Sequence, residues 1–310
     1  MVVSINNLVK RYKDVLAVDH FNMHIAEGEI LGLLGPNGSG KTTTINCILS
    51  LLKYDKGDIS LFGQPMSPSR YDIKQNIGLV MQNVAVFEAL TVYENIDYFC
   101  GLYIKDTKKR KAHVDEAIAF VSLEDQVRLL PAKLSGGLLR RLHIACGIAH
   151  KPKLIIFDEP TVAVDPQSRN HILSGIQELN KNGATIIYTS HYMEEVEQIC
   201  SRIIIMDKGR NIAEGSKESL KRMIKTGETI RMDVLGLKQE QLDTIKTLPK
   251  VFAVDYDNDV LMLRLTQGKN NLSEILTHFN QNGISYGRVL SELPTLNDVF
   301  LEITGKDLRD

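Results

Sequence analysis

Short apolar runs organise the middle of the chain: Leu154–Phe157, Thr185–Thr189 and Ile203–Met206, with helical segments between them. Runs this short that lack a solvent face belong to strands buried on both sides. Helices must then cover the sheet above and below, so the pattern predicts an α/β fold with parallel strands. Leu31, Leu33 and Leu34 end a further apolar strand. Residues 1–25 alternate around Arg11-Tyr12-Lys13-Asp14, which predicts an antiparallel hairpin at the edge of the sheet. Residues 84–150 lack strong strand signals and carry helical periodicity, predicting a helical subdomain. The charges around Lys105–Lys111 fit one solvated helix face.

From about residue 221 the pattern changes. Glu228–Leu235 reads as a strand and Lys238–Leu248 as a helix. Val251–Tyr256 and Asp259–Leu265 read as a hairpin around Asp257-Asn258. Asn271–Asn282 follows as a helix and Ile284–Leu290 as a strand. The order β-α-β-β-α-β is that of a small split βαβ, ferredoxin-like domain. Thr295-Leu-Asn-Asp298 is a capping-box pattern that starts a last helix towards Thr304. The chain therefore reads as a domain over residues 1–220 and a small α+β accessory domain over residues 221–310.

Composition narrows the partners. With 310 residues and a formal net charge of −1, bulk electrostatics do not suit a nucleic-acid partner, and none is expected. Cys47, Cys100, Cys146 and Cys200 are widely spaced and read as reduced, mostly buried thiols. The first residues lack a signal-peptide pattern, and no apolar run approaches the length of a bilayer span.

The chemistry starts at Gly35-Pro36-Asn37-Gly38-Ser39-Gly40-Lys41-Thr42, a phosphate-binding loop pattern between strand and helix. Glycines let backbone N–H groups curl around an anion, and the helix that opens with Thr42, Thr43 and Thr44 adds positive potential. Lys41 suits the β- and γ-phosphates of a nucleotide, and the Thr42 hydroxyl suits Mg²⁺. Leu154–Phe157 then delivers Asp158 and Glu159 to the sheet edge. Asp158 is placed to hold Mg²⁺, and Glu159 to orient or deprotonate an attacking water. Ser135, Gly136 and Gly137 open another helix, a second anion-binding start without a lysine of its own. One nucleotide held between two copies would use one start from each.

Together these motifs resemble the ATP-binding subunit of ABC transporters, over residues 1 to about 220. The resemblance implies an ABC cassette of the P-loop NTPase class, with a mixed sheet, an antiparallel β edge and a helical subdomain. It implies that Tyr12 stacks on adenine and that Gln82, after the Ile77–Met81 run, touches Mg²⁺ and links to the membrane subunit. It further implies that Ser135–Gly137 contact the γ-phosphate held by an opposite subunit, that Asp165 crosses the dimer seam, and that His191 contacts the γ-phosphate. Two positions depart from the family pattern: Leu138 stands where Gln is common, and Val162-Ala163-Val164 precedes Asp165 in place of Gly-Leu.

Leu293–Gly305 and Asp165–Asn170 are similar to segments of ATPases that serve ABC-2-type exporters of drugs, antibiotics and other amphiphiles. The implied protein binds ATP and Mg²⁺, hydrolyses ATP, pairs with a second such subunit, and works on the cytoplasmic face of the membrane with permease subunits from another chain. Two competing readings are a soluble ABC-type ATPase on ribosomes or DNA and a P-loop kinase or GTPase. The first usually has two cassettes or a long coiled coil; the second has no use for Ser135–Gly137 and His191. The C-terminal domain reads as dimer support or as a ligand-binding module.

Overall fold

A computed structural model of the chain describes residues 1–305 except residues 163, 267, 269 and 270. Its contacts divide it into two units, Met1–Ser216 and a second beginning at Lys217. The first contains β1 (Val3–Tyr12), β2 (Val15–Ile25), β3 (Ile30–Leu34), α1 (Lys41–Ile48), β4 (Lys56–Leu61), β5 (Gln64–Pro65), α2 (Tyr71–Lys74) and β6 (Ile77–Val80). It continues with α3 (Val92–Gly101), α4 (Thr107–Phe120), α5 (Gly136–Ile148), β7 (Leu154–Asp158), α6 (Pro166–Lys181), β8 (Thr185–Ser190), α7 (Met193–Ile199), β9 (Arg202–Asp207) and β10 (Arg210–Gly215).

The apolar runs become a sheet of order β10-β9-β3-β8-β7-β6, parallel except for β10 against β9. Every residue of β3, β7 and β8 is buried, as covering on both faces requires. The hairpin β1–β2 also forms, but it is not an edge of that sheet. β1 pairs with β4, giving a separate antiparallel sheet of order β2-β1-β4-β5. The reason is burial: Val3, Ile5 and Leu8 of β1 share one core with Leu31 and Leu33 of β3 and Ile45 and Ile48 of α1. The hairpin thus meets the parallel sheet through its face, with α1 in the shared core.

The stretch expected to be helical holds α3, α4 and α5. Thr91 and Glu94 form a capping box at the start of α3. Asn95, fully buried, donates to the Phe87, Leu90 and Thr91 carbonyls at 3.0, 2.9 and 3.0 Å and accepts from Phe87 N at 2.7 Å. One side chain therefore ties residues 87–91 to the first turn of α3. The lysines from Lys105 to Lys111 are exposed. All four cysteines are free and buried, and burial pushes the Cys47 and Cys100 thiols up to about 11. Among the described residues no helix is long and apolar enough to cross a membrane.

The second unit contains α8 (Lys217–Lys221), β11 (Thr226–Asp233), α9 (Gln239–Lys246), β12 (Val251–Asp257), β13 (Val260–Thr266), α10 (Asn271–Gln281), β14 (Val289–Glu292) and α11 (Leu296–Thr304). Its antiparallel sheet has the order β12-β13-β11-β14, the strand order of a split βαβ unit. Ile230, Leu261 and Leu263 from the sheet pack with Ile245 of α9 and Phe279 of α10. The β12–β13 turn centres on Asn258-Asp259, both at positive φ (50° and 59°), one residue later than the expected Asp257-Asn258. The last strand also starts late, at Val289 rather than Ile284. Gly287 N–H bonds the Asp233 carbonyl at 2.8 Å and turns the chain there, so pairing with β11 begins only past it.

Candidate functional site

β3, β6, β7, β8 and β9 run parallel, so the loops that follow them leave one edge of the sheet. Register lines up their last residues: Leu34 beside Ser190, Asp158 beside Thr189, and Val80 beside Phe157. Motifs more than a hundred residues apart therefore meet. Ligands of open α/β sheets bind at this carboxyl edge.

The loop after β3 leads directly into α1. Gly40 sits at φ 109°, and a Cβ there would lie 2.5 Å from the Ala17 carbonyl oxygen, so glycine is required. Lys41 is buried and donates to the Gly35 and Pro36 carbonyls at 2.7 and 3.1 Å. Burial lowers its pKa, while the charges of Glu159 and Asp158 oppose that shift. The ammonium thus curls inside its own loop, and both of its hydrogen bonds among the described residues go to neutral carbonyls. An anionic oxygen is a stronger acceptor than either. The Ser39 hydroxyl is buried with no partner in the loop, a polar atom waiting for a ligand. Pro36, Asn37 and Gly38 form the open side of the cradle, and Thr43 lies half-buried behind it.

Thr42 Oγ1 donates to Asp158 Oδ2 at 3.2 Å, joining the loop to the end of β7. Asp158 also accepts from Thr189 Oγ1 of the neighbouring β8 at 2.6 Å. Glu159 follows, 7% exposed and at φ 50°, a strained conformation for a side chain with a Cβ. Its N–H bonds Thr189 Oγ1 at 3.0 Å, and its carboxylate lies 3.5 Å from His191 Nδ1. Lys41, Thr42, Asp158, Glu159 and His191 are thus one constellation. Thr42 and Asp158 offer two hard oxygens side by side, a fit for Mg²⁺ completed by phosphate oxygens. Among the described residues no three His, Cys, Asp or Glu side chains converge into a metal cage.

The remaining expected residues lie outside that cluster. Tyr12 is 46% exposed, with Lys10 Nζ 5.1 Å from its ring centroid. Gln82 is exposed just past β6. Ser135 caps α5 by accepting from Leu138 N at 3.3 Å, and Leu138 is half-buried. Gly137 is buried where a Cβ would meet Ser168 Oγ at 2.6 Å and Asp165 Oδ2 at 3.1 Å, so this helix start packs on the Asp165 segment. Asp165 caps α6 through Ser168 N at 2.9 Å, and that bond lowers its pKa. Ala163 lies outside the described residues; Val164 is buried.

Sequence reasoning missed Arg140 and Glu195. Glu195 of α7 is buried and accepts from Thr161 Oγ1, Tyr188 Oη and Ser190 Oγ at 2.8, 2.7 and 2.9 Å, with Arg169 Nε at 3.3 Å. It ties the segment after Glu159 to the one before His191. Arg140 joins the loops that follow β6 and β7. A signal existed: Gly137, Arg140, Ile144 and Ile148 share one helix face, so Arg140 falls on the buried stripe of α5.

Residues 18–162 match the model of the ABC transporter family. The linearmycin resistance ATP-binding protein LnrL of Bacillus subtilis (strain 168) is 36% identical over 98% of this chain and 98% of its own length. The daunorubicin resistance ATP-binding protein DrrA3 of Streptomyces coeruleorubidus is 33% identical over 99% of this chain and 97% of its own. A dimeric, post-hydrolysis structure of the ATP-binding cassette MJ0796 bound to ADP and Pi superposes with a TM-score of 0.64 at 28% identity. It covers 69% of this chain and 98% of that one.

Proposed function

The chain belongs to the ABC transporter family, and from that premise we propose how its residues divide the work of an ATP-driven exporter. It is the ATP-binding, ATP-hydrolysing subunit of such a system. The observation that carries the division of labour is the convergence of Lys41, Thr42, Asp158, Glu159 and His191 at one sheet edge.

Gly35–Thr42 and Thr43 cradle the phosphates, with Lys41 exchanging its two loop carbonyls for phosphate oxygens. Tyr12 stacks on adenine. Thr42 and Asp158 would hold Mg²⁺, with Gln82 as a further ligand; when bound, the ion would offset negative charge on the phosphates. Glu159 takes the proton of the attacking water while His191 holds the γ-phosphate. Ser135–Gly137 and Asp165 of a second copy close over the nucleotide. Losing the γ-phosphate removes contacts that favour the closed pair, which then opens.

Opening and closing passes to separate permease subunits, with the chain lying peripherally on the cytoplasmic face. A few residues after Gln82 in sequence, the exposed Phe87 stacks on Phe99 at 5.8 Å, and the exposed Tyr98 meets both rings edge-on at 4.8 and 5.6 Å. An exposed aromatic cluster of this kind supports docking of a membrane partner there. We assign the cargo to the drug, antibiotic or other amphiphile class, which the resistance ATPases among the relatives support. The test is to purify the chain with its co-expressed permease. Mg²⁺-dependent phosphate release from ATP is expected, and its absence from the intact complex would overturn the assignment.

A further inference from the structure

Arg140 is a buried cation whose partners are carbonyls rather than carboxylates. It lies early in α5 and is 2% exposed. Nε donates to Pro160 O at 2.6 Å, Nη2 to Glu159 O at 2.8 Å, and Nη1 to both Met81 O and Gln82 O at 2.8 Å. Burial draws its pKa down to about 10, against the pull of Tyr188, Asp158 and Glu159, so it stays charged at neutral pH. Burying a charge on neutral acceptors is not the least costly way to fill a core. The arrangement therefore points to a positional task.

The four carbonyls belong to two loops. Met81 and Gln82 follow β6, and Glu159 and Pro160 follow β7. Ladder pairing between these two strands ends at Val80 beside Phe157, so beyond it the ladder does not join the β6 loop to the β7 loop. The planar guanidinium spans both loops and fixes each to α5, whose first residues are the Ser135–Gly137 helix start. Glu159 is then held from both sides, its N–H by Thr189 and its carbonyl by Arg140. That double hold keeps a side chain at φ 50°.

We propose that Arg140 is a positioning residue that makes the Gln82 segment, Glu159 and the start of α5 move as one body. An anion seated at Ser135–Gly137 then sets the water-activating carboxylate of the same chain and the segment beneath its membrane partner. This rests on the roles given above to Glu159 and Ser135–Gly137. It also offers a route between sites that bypasses the altered Val162–Val164 segment.

Lysine keeps the charge but presents its donors from a single atom, so it cannot span both loops. In R140K we expect ATP affinity and KM within about threefold of wild type and turnover lower by roughly tenfold to a hundredfold, the scale of a misplaced catalytic group. Hydrogen exchange should accelerate in residues 82–90 and 159–162 and not across the sheet. R140Q, which removes the buried charge, is carried in parallel so that poor accumulation of R140K does not stop the comparison. L142A, a cavity in the same helix, is the control matched for loss of Tm. Wild-type turnover in R140K, or an equal turnover loss in L142A at the same Tm, would overturn the proposal. A wild-type complex that releases no phosphate would instead defeat the ATPase roles, and the exchange comparison would still decide Arg140.

Discussion

Glu159→Gln separates chemistry from binding at this site. The carboxylate is nearly buried, with His191 Nδ1 at 3.5 Å. Glutamine keeps its length and shape and removes the basic oxygen. A positioned general base contributes about 10²–10⁴ in rate, or roughly 3–5 kcal/mol of barrier. Turnover should therefore fall by at least about a hundredfold. Binding should move the other way or not at all. The lost charge faced an anionic ligand, and repulsion between unit charges several Å apart at an effective dielectric of 20 is worth about 2–4 kcal/mol before screening. Folding should barely change, because the left-handed backbone at residue 159 suits Gln no worse than Glu and its backbone bonds remain. Three measurements on one preparation decide it: steady-state phosphate release, equilibrium ATP affinity, and sizing with ATP, where a closed dimer should accumulate. Unchanged turnover would refute the role of Glu159. A matched loss of affinity and turnover would show that it holds the ligand rather than activates water.

Lys41→Ala should weaken ATP binding strongly, since it removes the one cation inside the loop and leaves the Gly35 and Pro36 carbonyls turned inward; equal affinity in titration calorimetry would contradict this. Deleting residues 225–310 should lower the fraction of ATP-bound dimer while leaving nucleotide affinity intact, measured by light scattering; unchanged dimerisation would favour a ligand-binding role for the second unit. Burial holds the His143 and His150 imidazoles down to about 4, below their unfolded value, so the folded chain prefers them neutral. Their contribution is complete above pH 6.5 and is lost as pH falls towards 4, about 2 kcal/mol each by pH 5. Tm should drop between pH 6.5 and 5, and His143→Leu should flatten that slope; a pH-independent Tm in this window would refute it.

The parts legible from sequence were those whose chemistry is local in the chain. The loop Gly35–Thr42, the acids Asp158 and Glu159, and His191 each sit at the end of a buried run, and parallel pairing does the rest. Lys56–Leu61 escaped notice because only Ile59 and Leu61 in it are strongly apolar, yet β4 is what turns the N-terminal hairpin into a sheet of its own. Arg140 was overlooked for a different reason, although its spacing puts it on the buried stripe of α5. A cation beside Arg141 looks like a solvated face until tertiary packing shows four carbonyls waiting for it. Glu195 next to Glu194 is the same case with the opposite charge.

These missed side chains share one cause. A parallel sheet satisfies backbone groups along its strands but not in the loops that leave its carboxyl edge, and in this chain those loops carry the residues of the proposed site. Something must hold them in the absence of ligand, and buried polar side chains do so: Asn95 before α3, Arg140 across the β6 and β7 loops, and Glu195 between Thr161 and Ser190. Pre-organisation has a consequence for how the site divides. Lys41, Asp158 and Glu159 are buried and braced, the arrangement that the roles proposed for them require. Gln82, Ser135 and Asp165 are exposed, where a partner or a second copy can reach them. Changes in the buried set should therefore abolish turnover, through lost ATP binding at Lys41 and lost water activation at Glu159. Changes in the exposed set should uncouple assembly or transport from an ATPase centre that is still intact.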